Sequence, residues 1–126
     1  MTIRNLQHFA LTVPDVEVGK TFYADFGLRA RDESSRAILR CDGRDQDQVI
    51  LIEGQKKRMH HVAFGTQADD LARLKARLEA EHIALVDPPQ HSDGDGLWFH
   101  DPDGVLVNVR IAESAPSRSA PEWKIN

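Results

Sequence analysis

The chain has 126 residues, with 16 Lys and Arg against 20 Asp and Glu, a net charge of -4 and a single cysteine. That length suits one domain, able to bury roughly two-thirds of the surface its unfolded form would expose. The longest basic run is "KKR" at Lys56 to Arg58, which argues against nucleic acid as a partner, while one cysteine excludes an internal disulfide and no apolar run is long enough to span a bilayer. The start "MTIRNLQHFA" has no charged-then-apolar signal pattern, so a cytoplasmic protein is the expectation.

The first expected element is a strand over "LQHFALTV", residues 6–13, in which His8, Ala10 and Thr12 face one way and Phe9, Leu11 and Val13 the other. Asp15 then caps a helix whose apolar positions Val16, Gly19, Tyr23 and Phe26 recur at helical spacing, with Gly27 as its stop. The apolar face of the strand should meet that helix. Three strand-like runs follow, "LRARDE", "RAILRCD" and "QVILIEG", with "CDGRDQ" as a turn between the last two.

Residues 59–66, "MHHVAFGT", then repeat the opening phrase, setting His61 on His8, Ala63 on Ala10 and Thr66 on Val13 at an offset of 61 − 8 = 53 residues. A second helix is expected over "QADDLARLKARLEAEHI", with Leu71, Leu74 and Leu78 on one stripe. The runs "IALVD", "GLWFH" and "VLVNVRI" follow as strands, with turns at "HSDGDG" and "DPDG". The chain is therefore one unit of strand, helix and three strands, made twice. This predicts an α+β fold in which two tandem βαβββ modules, about 1–54 and 58–113, form a curved, partly closed eight-stranded sheet, a cup with its helices outside. Residues 114–126, rich in Ser, Ala and Pro, read as a linker or tail.

Alternation places His8, His61 and Asn108 on the polar faces of the first, fifth and last strands, where they can converge inside the cup. Two histidines with an oxygen donor are the start of a metal site. The same residues also fit a pair of cavity histidines hydrogen-bonded to water or to Asn108, and both readings stand. By alternation His60 points to the opposite face as a partly exposed residue, and Glu53 lies nearer the rim than the centre. "DGDG" and "DPDG" lack the closing glutamate of a calcium loop and read as turns flanked by surface residues His91 and His100. Cys41 has no histidine at activating distance in the sequence and reads as a small buried filler. One of Trp98 and Phe99 must face the helix side and the other the cup or an interface.

The phrases "HFALTVPD" with "FYADFGL", "HHVAFGT", and "WFHDPDGVLVNV" resemble the vicinal oxygen chelate superfamily, which includes glyoxalases, bleomycin and fosfomycin resistance proteins and type I extradiol dioxygenases. Within it, "ILRCDGRDQDQVILIEG" followed by "MHHVAFGT" is most similar to the N-terminal domain of two-domain ring-cleaving dioxygenases. The resemblance implies a divalent metal, Fe(II) in the full enzyme, held by two histidines and a glutamate four residues after the Gly of "DPDG". His8 and His61 match the first two positions, and Asn108 stands where the carboxylate is expected. The resemblance thus implies a vestigial or weakly metal-binding site in this chain and assigns no catalytic residue. The partner it implies is a second dioxygenase-like domain or another copy of the chain, with a small aromatic ligand. Two other readings remain: a stand-alone glyoxalase-like metal-dependent isomerase or lyase, and a metal-free protein that sequesters a drug-like ligand.

Overall fold

In a computed structural model, residues 3–33 and 35–112 are described. The expected tail at 114–126 lies outside the described residues. Strands β1 (Asn5–Val13), β2 (Arg29–Glu33), β3 (Arg36–Arg40), β4 (Asp47–Glu53), β5 (Arg58–Thr66), β6 (Leu97–His100) and β7 (Leu106–Ile111) form one curved, open sheet with order β2-β3-β4-β1-β5-β7-β6. Helices α1 (Val16–Asp25) and α2 (Ala68–Ala80) follow β1 and β5. β1 pairs in parallel with β4, β5 pairs in parallel with β7, and the two halves join where β1 and β5 run antiparallel.

The α1 start is set by Asp15, whose carboxylate accepts from Glu17 N–H at 3.0 Å and Val18 N–H at 3.3 Å, satisfying two of the donors a helix leaves open. Gly27, at φ 95°, then turns the chain into β2. Gly19 lets α1 lie close on the sheet, since a Cβ there would come 2.7 Å from Leu51 Cδ1. On this outer face Val13, Ala37, Leu39, Val49 and Leu51 form a core with Phe9, Leu11 and Tyr23 packed against it. The corresponding core of the second half joins Leu74 and Leu78 of α2 to Val107 and Val109, with Val62 and Phe64 alongside. The expected alternation therefore holds in β7, and in β1 and β5 outside two slips of their shared ladder. The inner face of the first half carries Ala10, Ile38, Ile50 and Ile52.

The sheet has seven strands among the described residues, and the expected strand at Ile83 to Asp87 is irregular. It makes one ladder-like bond, Val86 N–H to the Trp98 carbonyl at 2.8 Å. Pro88 and Pro89 come next and have no N–H to extend a ladder. Phe26 caps the end of α1 but stays 71% exposed, so it does not join the core that its spacing suggested. Cys41 is half-buried rather than buried. Among the described residues no helix is long and apolar enough to cross a membrane.

Candidate metal centre

His8 of β1 and His61 of β5 meet on the inner face, 7% and 1% exposed, with their Nε2 atoms 2.9 Å apart. A nitrogen separation of that size fits one neutral imidazole donating to the other. It also fits two adjacent ligands each about 2.1 Å from a single ion.

Irregularities in the β1–β5 ladder shape the approach. The register slips between Leu6 and His8, and again between Ala10 and Leu11, where His61 and Met59 are the successive partners. The extra residues are Gln7 and His60, which occupy equivalent positions of the repeat immediately before each inner histidine. A bulge sets two neighbouring side chains against one partner residue and re-aims them. Consequently His60 does not turn away as alternation predicts: its Nδ1 lies 2.8 Å from Nδ1 of His61, with ring centroids 5.0 Å apart. His61 thus touches an imidazole at each of its ring nitrogens. At the other bulge the Gln7 carbonyl accepts from Gln46 Nε2 at 2.7 Å and Gln48 Nε2 at 3.0 Å. Neither bulge has a sequence signature here, because no glycine marks either one.

Trp98 is the member of its pair that faces inward. It is 1% exposed and its ring lies edge-on to His61 at 4.9 Å, while Phe99 packs on the helix side.

Asn108 is fully buried on β7, beside Ala63 of β5. Its Nδ2 donates to the carbonyls of Asp95 at 2.7 Å and Leu97 at 3.0 Å, and its Oδ1 accepts from Arg110 Nε at 2.7 Å. The amide is therefore committed at both ends. A carboxylate in that pose would face two carbonyl oxygens, so the surroundings select an amide. Arg110 in turn grips Asp93 with two bonds of 2.5 and 3.0 Å.

Asp93 belongs to a loop that covers the inner face, and Arg110 of β7 holds it there. Ser35 Oγ lies 2.7 Å from His91 Nδ1, and Arg36 donates to the His91 carbonyl at 3.0 Å, tying the loop to the first half. His91 is exposed, as expected, but holds the unusual φ of 68°. Gly96 is required for close approach to β7, since its φ is 79° and a Cβ would come 2.3 Å from the Val109 carbonyl. Beneath this loop the space bordered by His8, His61, Asp93 and Arg110 has a volume of about 10 Å³, room for roughly one water. A larger polar cavity of about 250 Å³ opens beside it, lined by Gln7, His8, Arg36, Arg40, Asp47 and Arg110 among others.

Burial pushes the His8 pKa down to about 4, with the Arg110 guanidinium adding to the effect. Burial likewise lowers His61 to about 3, assisted by His8, His60 and Arg110. His60 is lowered by burial and by His91. For Asp93, burial acts upward, yet the hydrogen bonds from Arg110 and the Asp95 N–H and the nearby positive charge hold its carboxyl below the ordinary range. The centre is thus two neutral imidazoles beside a guanidinium already matched to a carboxylate.

Two imidazoles fit a divalent ion; the third position does not complete a His–His–carboxylate set. Asn108 brings no charge, its oxygen is engaged by Arg110, and among the described residues no three His, Cys, Asp or Glu side chains gather as a metal-holding group. Of the residues singled out from sequence, His8 and His61 come together and Asn108 lies on the same face. The participation of His60, Gln46, Asp93 and Arg110 was not foreseen. Arg110 carried a readable signal, lying two residues after Asn108 on the same strand face.

A family model described as Glyoxalase/Bleomycin resistance protein/Dioxygenase superfamily matches residues 5–109. Metapyrocatechase 2 of Cupriavidus necator is 35% identical over 121 residues, covering 94% of this chain and 37% of that protein. The Mn(II)-bound glyoxalase from Novosphingobium aromaticivorans superposes with a TM-score of 0.78 at 23% identity, over 95% of this chain and 42% of the other. BphC, a halotolerant catechol dioxygenase, gives 0.74 at 17% identity, over 94% and 42%. At these identities the structural matches establish the fold alone. The chain spans about two-fifths of the length of these relatives.

Proposed function

Because the chain belongs to the glyoxalase/bleomycin resistance protein/dioxygenase superfamily, we propose that it acts as a non-catalytic, N-terminal type of domain in an extradiol dioxygenase-like protein that works on catecholic aromatics. The likeness to Metapyrocatechase 2 over little more than a third of that protein's length supports this reading. The observation that carries it is Asn108, committed through its amide to two loop carbonyls and to Arg110 where a metal-holding carboxylate would be needed. In this reading Fe(II) and ring cleavage belong to a second dioxygenase-like domain, and the cup described here is a vestige with at most weak metal affinity. The domain covers residues 1–113, with 114–126 as the connection onward, and the protein is cytoplasmic.

The 2.9 Å approach of His8 and His61 supports a second reading, a stand-alone metal-dependent isomerase or lyase. Anaerobic calorimetric titration of the metal-free chain with Fe(II), Mn(II) and Zn(II) separates the two. The proposal expects no stoichiometric binding by the wild type, and a gain of at least about tenfold in affinity when Asn108→Glu is combined with Arg110→Ala, which frees the new carboxylate from its guanidinium. Tight one-to-one binding by the wild type, lost in His8→Ala, would establish a working site and favour the second reading.

A further inference from the structure

The outer face of α1 is open. No residue of this helix is buried, and Val18, Phe22 and Phe26 are 65%, 56% and 71% exposed at successive helical turns. The two phenylalanine rings lie 5.0 Å apart and form an aromatic ledge. Beside the N-terminal half of the same helix runs an apolar groove of about 390 Å³, whose walls include Leu11, Val13, Val18, Gly19 and Leu51. Gly19 deepens it by having no side chain. Knob and groove thus sit on one helix, displaced from each other along its axis.

The geometry points to a second copy of this chain as the occupant, with two α1 helices crossing antiparallel about a two-fold axis near Phe22. In that arrangement Phe26 of one copy enters the groove of the other beside Val18, and the reverse contact follows from symmetry. A knob and a groove on one element are what an isologous interface requires. Charge supports the same partner. Lys57 borders the groove at the N-terminal end of α1, and Asp25 stands next to the Phe26 knob. Neither has an ion-pair partner among the described residues, and the antiparallel crossing brings each Lys57 to the other copy's Asp25. Asp15, at the groove end, is already engaged in capping its own helix.

The three exposed side chains offer on the order of 300 Å² of apolar surface per copy, before the groove walls are counted. Those side chains alone fall short of the roughly 800 Å² per partner of a standard interface, and the groove walls must supply much of the rest, so a weak, concentration-dependent dimer is expected rather than an obligate one. This inference does not depend on the function proposed above, because its readout is mass rather than metal or turnover.

Analytical ultracentrifugation of the 126-residue chain from micromolar to sub-millimolar concentration tests it. The wild type should pass from monomer to dimer, and Phe26→Glu should remain monomeric throughout. Lys57→Glu and Asp25→Lys should each raise the dissociation constant by about tenfold or more, and the double variant should return it to near the wild-type value. A wild type that stays monomeric would overturn the proposal, as would a dimer untouched by Phe26→Glu or a charge exchange that fails to restore association.

Discussion

The two halves of this protein repeat one order of elements but use their helices differently. α2 sets Leu74 and Leu78 into the core at 8% and 4% exposure, whereas α1 buries none of its residues and turns two phenylalanines outward. The contrast extends to helix starts: Asp15 caps α1 through its side chain, and Gln67 at the same place before α2 makes no such bond. The half with the better packed helix also has the shorter sheet, since proline ends the run at residues 83–87 before it joins the ladder. Backbone pairing and hydrophobic period preserve topology through a duplication. Which face of a helix stays covered is free to diverge once another surface can cover it.

The largest expected effect tests the packing contrast. Leu74→Ala in α2 should lower unfolding free energy by about 2 to 5 kcal/mol, and Val18→Ala in α1 should stay within about 0.5 kcal/mol. Urea unfolding at low protein concentration measures both; equal losses would mean that α1 packs as tightly as α2.

A second effect concerns the seam where the halves meet. His8 and His61 have folded pKa values of about 4 and about 3, below the ordinary 6.5. Unfolding therefore lets them take up protons, and the stability gained by keeping them neutral is present above pH 6.5 and lost progressively as pH falls toward 4. Lowering the pH from 7 to 5 should destabilise the chain by on the order of 2 kcal/mol for each of the two histidines, about 4 kcal/mol together. The slope should weaken in His8→Gln, as read by thermal unfolding across that window. An unchanged slope would place the titrating groups elsewhere.

The smallest effect sharpens the contrast in capping. Asp15→Ala should cost about 1 kcal/mol by releasing two helix N–H groups, while Gln67→Ala should change little. The same denaturation measurement reads both, and a cost at Gln67 similar to that at Asp15 would erase the distinction.

Much of the candidate site was legible because strand alternation is rigid: His8 and His61 share a face by counting twos from a repeated phrase. Counting fails where the ladder slips. At His60 one extra residue in β5 turns an expected outward side chain onto His61, and nothing in "RMHHVA" marks the slip. The role of Asn108 was legible only by position. Its amide is fixed by the carbonyls of Asp95 and Leu97, which depend on how a glycine-containing loop folds back on β7.

The sequence by itself determined the duplication, both helices, seven of the eight expected strands, and the faces on which the inner histidines and asparagine lie. These follow from local period and turn chemistry, which short stretches of chain carry whole. The tertiary structure decided that the run at residues 83–87 stays irregular, that bulges add His60 to the histidine pair, that Trp98 rather than Phe99 turns inward, and that Arg110 and Asp93 close over the cup. Each of those depends on partners far apart in the chain. Their hydrogen bonds and packing exist only once both halves of the sheet have met.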